Sequence, residues 1–367
     1  MSRIQRGQGL EHSQQRNEAL DGLRGYAALA VAVFHTVLNV DLGLIARVQE
    51  QDFSSLAGAY DRLNWLVLRT FNGNIAVAIF FVLSGTVLFG SLRRLQGSAA
   101  SRSATFLIRR FLRIYPPLIV CLAVMTGVYA VFGIPVSVQG FIENALLYSF
   151  PVNGPTWTLS VEMQAAPAML VAFGGYLIGR EAGLLIAGVA VALILNIGGL
   201  NIGPIKTFWP YFLVGMLIPT RIGSAVAGVL PHHSWIVIMI VLLYFSGPTT
   251  EKICCGLLIA LLYHRDDGLL GNILRRPVAR FFGRISYSFY LYNVMFLEII
   301  CLYLRKSALA TTHPLEIGLA ASIVVIVLTT PIAYLSARWT EEPAKRYGGT
   351  ARDTRPIALD ETPARIQ

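Results

Sequence analysis

Long apolar stretches separated by short polar segments dominate the chain. Ten of these stretches predict membrane spans, at 25–44, 74–92, 114–132, 156–179, 183–200, 204–219, 234–246, 251–264, 285–304 and 315–339. A helix needs about 20 apolar residues to cross the hydrocarbon core, and the eighth stretch is short by that measure. The seventh and eighth stretches also fit a broken or re-entrant pair. The pattern therefore predicts an all-α fold, a polytopic membrane helix bundle of about ten transmembrane helices.

The basic residues support this count. Loops on the cytoplasmic side of a membrane carry an excess of lysine and arginine. Ten spans with both ends on one side place 23 of the 30 lysines and arginines on that side and 7 on the other. We therefore expect a cytoplasmic N-terminus and a cytoplasmic C-terminus. Residues 1–19 and 341–367 are predicted to be flexible cytoplasmic tails, and residues 20–340 form the transmembrane domain.

The composition is typical of a membrane protein and indicates which classes of partner to expect. Hydrophobic residues make up 55% of the chain and charged residues 14%, whereas a soluble domain has about 25% charged residues. The net charge of +10 comes from basic residues that flank the spans, which indicates membrane lipids as partners and argues against nucleic acid. The four cysteines lie in apolar stretches without a C-x-x-C pattern, so no metal site is expected.

The first span begins with charged residues and contains one histidine. Asp21 and Arg24 stand at its entrance, and His35 follows eleven residues after the arginine. Eleven helical residues return to within roughly 20° of the same face and rise roughly 16 Å. Histidine suits proton transfer because its ordinary pKa lies near neutrality. The alternative is a structural histidine that bonds to a neighbouring helix.

A basic segment at 106–117 precedes the third span. Its apolar residues repeat with helical spacing, and Arg109, Arg110 and Arg113 share the opposite face. We predict an interfacial amphipathic helix that ends at the proline pair 116–117. The arginines fit either contact with lipid head groups or a phosphorylated cytosolic ligand, since arginine binds phosphate bidentately.

Two carboxylates lie within the later spans. Glu162 follows Trp157 in the fourth span, and Glu298 lies in the ninth. Ionisable groups are costly in lipid and by default mark function. Glu162 fits a partner for His35, as an orienting or charge-balancing group or as a second acid–base group, and the motif resemblance described below favours it over Glu298. A structural hydrogen bond is its alternative role.

Together these residues resemble the integral-membrane acyltransferase family 3, from Asp21 to about Trp339. The family's motifs match as follows: Arg-x10-His at Arg24 and His35, Phe-Phe-x-Leu-Ser-Gly at 80–85 with Ser84, Arg-x-x-Arg at Arg110 and Arg113 followed by Tyr115, and Thr-Trp-x-Leu-x-x-Glu at 156–162 with Trp157 and Glu162. One departure lies in the ninth span, where Asn293 occupies the usual position of a histidine. Asparagine forms hydrogen bonds but does not titrate.

The resemblance implies acyl transfer from cytosolic acyl-CoA, most often acetyl-CoA, to a hydroxyl of a carbohydrate or glycolipid acceptor. Acetyl-CoA is then a co-substrate, and no permanently bound cofactor is expected. The implied location is the bacterial inner membrane, in the stand-alone form of the family without a further hydrolase-like domain. The oligomeric state is left open.

The motifs also imply site roles. His35 is the expected general base, with Glu162 as the second catalytic group. Acyl-CoA binding falls to Arg24, Arg110, Arg113 and Ser84, acceptor binding to Trp157 and Asn293, and supporting roles to Asp21 and Tyr115. An acyl-histidine intermediate is the competing mechanism. The alternative functions are a transporter or exporter of a small anion or polysaccharide precursor, and an inactive family member that serves in assembly.

Overall fold

A computed structural model describes residues 3–56, 58–197, 203–245, 247–265 and 268–343, with the backbone alone at 3–17, 309 and 311. Fourteen α-helices and no strands occur in these described residues. They are α1 Arg3–Val40, α2 Ala59–Thr70, α3 Gly73–Arg94, α4 Ala99–Val131, α5 Val138–Ala145, α6 Trp157–Leu195, α7 Ile205–Leu217, α8 Arg221–Val229, α9 Ser234–Tyr244, α10 Pro248–Arg265, α11 Leu269–Leu274, α12 Pro277–Leu304, α13 Ala308–Thr312 and α14 Pro314–Ser336. The prediction of an all-α fold is confirmed.

Each of the ten predicted spans overlaps a helix within the described residues, and the predicted positions 198–200 and 246 lie outside them. The spans correspond to α1, α3, α4, the two parts of α6, α7, α9, α10, α12 and α14. By length and apolar composition, six helical stretches of the described chain are candidate membrane spans. A bent pair, α7 with α8 at 81°, brings the number to at most seven. The count of ten and the placement of the two ends stay predictions.

Helix α6 folds back on itself at Gly179 and Arg180. Both residues leave the helical conformation, and Arg180 has φ 52°. A Cβ at Gly183 would lie 2.1 Å from the carbonyl oxygen of Gly175, so the backbones of these residues touch. Eight residues of straight helix would separate them by about 12 Å. The two arms of α6 therefore match the separate spans predicted at 156–179 and 183–200.

Helix α4 corrects the prediction of a separate interfacial helix. It runs without a break from Ala99 to Val131 and contains Pro116 and Pro117. A proline inside a helix removes a hydrogen bond to the carbonyl four residues before it, and membrane helices tolerate this loss. The hydroxyl of Tyr287 on α12 donates to the carbonyl oxygen of Ile114 at 2.9 Å, beside the prolines. The arginines and the third span thus belong to one continuous element.

Both segments predicted as tails contain helical residues. Helix α1 starts at Arg3, so it includes most of the segment predicted as an N-terminal tail. At the other end, α14 continues into a π-helical turn, Ala337–Glu341. Glu341, assigned to the tail by sequence, is 4% exposed and accepts hydrogen bonds from the backbone nitrogen and Oγ of Ser288, at 3.1 and 2.6 Å. The predicted tail beyond residue 343 lies outside the described residues.

Helix α1 lies at the centre of the bundle and packs on α3, α12 and α14. Its contact with α12 is close: a Cβ at Gly25 would lie 2.2 Å from the carbonyl oxygen of Ala279, and one at Gly283 would lie 1.9 Å from that of Asp21. Small residues allow this backbone approach between membrane helices. The two helices run in the same direction, because Asn39 near the end of α1 contacts Arg305 just after α12. This parallel pair positions the candidate site.

Candidate active site

A cavity of about 610 Å³, including its open mouth, lies between α1, α3, α4, α6 and α12. Four residues predicted for the site line it: Arg24, Ser84, Arg113 and Glu162. We call it the arginine cavity. The remaining lining is polar on α12 and apolar on α3, where Val77, Phe80 and Phe81 contribute. The structure thus brings together side chains that stand up to 138 positions apart in sequence.

Glu162 joins three elements at the wall of the arginine cavity. Its carboxylate accepts a hydrogen bond from Ser84 Oγ on α3 at 2.7 Å and from Arg110 on α4. Arg110 is 3% exposed, and its Nε has no hydrogen-bond partner within the described part of the chain. Glu162 is therefore bonded to Ser84 and Arg110 rather than to His35, the partner favoured from sequence. The Glu162 carboxylate thus holds the buried Arg110 guanidinium beside the cavity.

The cavity carries an excess of positive charge. Arg24 pairs with Asp21 at 3.3 Å. Arg113 faces the same cavity and forms no hydrogen bond or ion pair with any described residue. With Arg110, three guanidinium groups stand against the two carboxylates of Asp21 and Glu162. A partly buried, unpaired guanidinium is suited to a bidentate bond with a phosphate or carboxylate.

His35 lies beyond the cavity on the same helix. It does not line the arginine cavity, and it stands five residues, about 7.5 Å, before the end of α1. Its imidazole forms no hydrogen bond within the described residues, and its ring contacts that of Phe34 edge-on at 5.5 Å. The structural alternative, a histidine bonded to a neighbouring helix, is not what the described residues show. An unbonded imidazole has both nitrogens available for proton transfer.

Asn293 lies at the level of His35. Gly25 and Gly283 are in contact, and each of the two residues follows ten positions later, about 15 Å along parallel helices. The amide nitrogen of Asn293 donates to the carbonyl oxygens of Phe289 and Tyr290 at 3.1 Å, and its buried Oδ1 has no partner among the residues that the structure describes. Asn293 thus lies outside the cavity lining, with one acceptor atom unused.

The two predicted aromatic residues pack against other rings. Trp157 lies beside Phe81 and Phe208, with ring centroids 6.2 and 5.1 Å apart, and does not line the cavity. Tyr115 stacks on Phe111 at 4.4 Å. Both therefore support the walls of the bundle.

Four polar cavity residues on α6 and α12 lie in segments that the sequence marks but were given no site role: Thr158, Ser286, Tyr287 and Tyr290. Thr158 Oγ1 donates to the hydroxyl of Tyr290 at 3.0 Å, and that hydroxyl donates to the carbonyl oxygen of Pro155 at 2.6 Å. The spacing of 286, 287 and 290 places these residues on one helix face. That helical spacing is the available signal, and it requires knowing which face of α12 meets the cavity.

Comparison with curated proteins returns no match, and comparison with solved structures returns none. One family model, described as an acyltransferase domain and belonging to acyltransferase family 3, matches residues 17–338. That range contains α1 from residue 17 onward, the arginine cavity, His35 and all of α14. Because the match covers nearly the whole chain, this protein belongs to acyltransferase family 3, as its motifs predicted.

Proposed function

We propose that this protein is a membrane O-acyltransferase that moves an acyl group, in the first instance acetyl, from cytosolic acyl-CoA to a hydroxyl of a cell-surface or exported carbohydrate. The observation that carries the proposal is the arrangement on α1. Arg24 lines a buried cavity together with the unpaired Arg113, and the unbonded imidazole of His35 lies eleven residues further along. An anion site and a free base on one helix suit a reaction of a phosphorylated donor.

The donor binds in the arginine cavity. Arg24 and Arg113 take the phosphate oxygens of CoA, and Arg110 remains fixed by Glu162. The pantetheine arm extends along α1 toward His35, a rise of about 16 Å. Val77 and Phe80 supply an apolar surface for the arm on α3. The thioester carbonyl then lies beside the imidazole.

His35 acts as the general base. Its neutral imidazole takes the proton of the acceptor hydroxyl while that oxygen bonds to the thioester carbonyl carbon. The carbon–sulfur bond breaks, the new ester forms, and the CoA thiolate takes the proton from the imidazolium. Positioned general-base catalysis contributes about 10²–10⁴-fold in rate. Each step conserves protons and charge without a further reactant.

The same proposal includes the topology. Ten membrane helices with both ends in the cytoplasm of a bacterial cell place the basic loops at the inner membrane surface. Six helical stretches are long and apolar enough to cross a membrane, and α6 counts as one of them. The second arm of α6 and helices α7, α9 and α10 bring the proposed number to ten. Acyl-CoA then arrives from the cytoplasmic side and the acceptor from the opposite side.

His35→Gln tests the reaction in purified, membrane-reconstituted protein. We expect transfer of labelled acetyl from acetyl-CoA to surface polysaccharide to fall at least 100-fold, because the base is lost. Acetyl-CoA binding changes less than about twofold, because His35 lies outside the arginine cavity. His233→Gln, an exposed histidine outside the site, is the matched control. Undiminished transfer by His35→Gln contradicts the mechanism, and labelled acetyl retained on wild-type His35 after acceptor is withheld favours the acyl-histidine route.

A further inference from the structure

A second cavity, of about 580 Å³ with its mouth, lies at the first turn of α3. Its polar lining comes from Gln49, Arg69, Asn72, Asn74 and Glu251, and Trp65 forms part of its wall. We call it the amide cavity. None of these residues belongs to a motif singled out in the sequence, and none lines the arginine cavity.

Helix α3 connects the two cavities. Asn74 lines the amide cavity, and Val77, three residues later, lines the arginine cavity. Three residues rise about 4.5 Å and share one helix face. The two cavities are therefore consecutive along the same side of α3, and one turn of helix separates their linings.

Phe34 links the wall of the amide cavity to His35. A Cβ at Gly73 would lie 2.6 Å from Cδ1 of Phe34, so the start of α3 rests on that ring. Phe34 also packs in one apolar cluster with Trp65 and Leu68 of the cavity wall. The ring of His35 lies edge-on to that of Phe34, with the ring centroids 5.5 Å apart. One aromatic side chain thus contacts both the cavity wall and the proposed base.

The lining has the chemistry of a site for a neutral, polyhydroxylated molecule. The side chains of Gln49 and Asn74 form no hydrogen bond with any described residue, so each offers a free donor and a free acceptor. Asn72 uses only its Oδ1, which accepts from the backbone nitrogens of Asn74 and Ile75. The positive charge of the Arg69 guanidinium balances the negative charge of the Glu251 carboxylate. A set of mixed donors and acceptors without net charge matches hydroxyl groups, each of which donates and accepts.

Glu251 gives the cavity a fixed acceptor. Its carboxylate accepts from the hydroxyl of Tyr211 at 3.1 Å, which holds α10 to α7 and leaves the second carboxylate oxygen available. The Trp65 ring is 6% exposed and is held by its Nε1 bond to the carbonyl oxygen of Gln51 at 3.1 Å. Pockets of this kind combine a rigid apolar wall with a few placed polar groups.

We propose that the amide cavity is the acceptor site, and that its ligand is a carbohydrate segment whose reacting hydroxyl reaches His35 past Phe34. This rests on the function proposed above and names the residues that bind the second substrate. The donor and acceptor then occupy separate cavities on the same face of α3 and meet at the imidazole. The acceptor enters from the end of the bundle at which α3 begins.

Chemical modification of Asn74→Cys tests the location of this site. The full-length protein is expressed in source cells that lack the native copy, and intact cells are treated with a membrane-impermeant, negatively charged thiol reagent. The readout is base-labile acetate on surface polysaccharide, followed by acetyl-CoA binding to the same protein after purification. We expect treatment to reduce acetylation at least tenfold and to leave acetyl-CoA binding within twofold. Asp52→Cys, exposed in the preceding loop, and the wild-type protein, whose four cysteines are buried, are the controls.

Glu251→Gln supplies a kinetic readout. Glutamine still accepts the Tyr211 hydrogen bond, so the fold is preserved while the charged acceptor is lost. A hydrogen bond to a charged group is about twice as strong as one between neutral groups. With polysaccharide purified from the deletion cells as acceptor, we expect its KM to rise roughly tenfold or more, while kcat and the KM for acetyl-CoA change less than about threefold.

The outcomes separate the two proposals. Modified Asn74→Cys that still acetylates normally overturns the acceptor site, as does a Glu251→Gln variant with unchanged KM for polysaccharide. In both cases wild-type transfer is intact, so the proposed function stands. Wild-type protein that neither binds acetyl-CoA nor transfers acetyl overturns the proposed function itself.

Discussion

The ion pair of Arg110 and Glu162 has different energetics from an exposed ion pair. Arg110 is almost fully buried, and Glu162 is its only described carboxylate partner. Removing two charges from water is expensive, and their attraction offsets this cost only while both are present. The pair therefore makes each member dependent on the other. Its position beside the unpaired Arg113 places a rigid cation next to a free one.

Single and double substitutions separate the two contributions. Arg110→Met leaves the Glu162 carboxylate without its ion-pair partner, and we expect the free energy of unfolding to fall by about 3–5 kcal/mol. The double variant Arg110→Met, Glu162→Met should lie closer to the wild-type protein than Arg110→Met does. Unfolding in mixed detergent micelles measures both.

The matched control for this pair is Arg47→Met. Arg47 forms ion pairs with Asp41 and Asp61, and 46% of its side chain is exposed. Exposed pairs contribute about 0–1 kcal/mol, so we expect little change. A loss in Arg47→Met as large as that in Arg110→Met would show that burial does not set the energy of the pair.

Arg113 differs from Arg110, because no described residue pairs with it. Removing its charge therefore leaves no carboxylate without a partner. Arg113→Gln should leave the stability within about 0.5 kcal/mol and weaken acetyl-CoA binding by about 10–100-fold, the loss of one charge-assisted hydrogen bond. Isothermal titration of reconstituted protein measures the affinity. Arg94→Gln removes an exposed arginine outside the cavity and should bind acetyl-CoA as the wild-type protein does. Equal affinity in both variants would remove Arg113 from the donor site.

At the scale of elements, apolar runs predicted every long helix but not its ends. A run of sufficient length must bury its backbone in hydrogen bonds, and in lipid that requires a helix. The continuity of α4 was mispredicted because Pro116 and Pro117 usually end a helix, whereas here the helix runs through both. Glu341 was assigned to a tail because its partner, Ser288, lies far away in sequence on another helix.

Motif spacing likewise selected residues that the fold brings together. Arg24, Ser84, Arg113 and Glu162 line one cavity, and each was marked in the sequence by charge or by a motif in an apolar setting. The pairing of Glu162 was not predictable, since it depends on how α3, α4 and α6 meet. The lining residues Asn72, Asn74 and Glu251 of the amide cavity lie in ordinary polar loops and helix starts. Only the packing of α2, α3 and α10 brings them together.

The contact between α1 and α12 predicts a sensitive element. A methyl group at Gly283 would lie 1.9 Å from the Asp21 carbonyl oxygen, so Gly283→Ala must push the helices apart. Overpacking of this kind costs about 1–3 kcal/mol. We also expect weaker acetyl-CoA binding, because Arg24 on α1 and Tyr287 on α12 line the same cavity. Thermal unfolding and acetyl-CoA titration measure the two effects.

Gly127→Ala in α4 is the matched control for this contact. A Cβ at Gly127 meets no atom within 4 Å, and alanine favours helix by up to about 1 kcal/mol over glycine. The control should therefore be neutral or stabilising. Equal destabilisation by both substitutions would mean that the close approach of α1 and α12 does not explain the loss.

On the scale of the whole molecule, the proposed reaction requires two substrates to enter from different ends of the bundle. The arginine cavity and the amide cavity are consecutive along α3. Phe34 contacts the ring of His35, the start of α3 and the wall of the amide cavity, and Val77 lines the arginine cavity. Under the proposals above, this arrangement keeps the CoA donor and the hydroxyl acceptor apart until both reach the imidazole.

That arrangement depends on the fold-back of α6, because it decides which loops lie on which side of the membrane. If α6 crosses twice, with its turn at Gly179 and Arg180, the loops before and after it lie on the same side. Tyr148 in the first loop and Asn196 at the end of the second arm are both exposed. We expect Tyr148→Cys and Asn196→Cys to react with a membrane-impermeant thiol reagent applied to intact cells. Arg180→Cys at the exposed turn should react only after permeabilisation. A single straight crossing would instead place positions 148 and 196 on opposite sides, and labelling of only one of them in intact cells would refute the ten-helix topology and the two-sided route to His35.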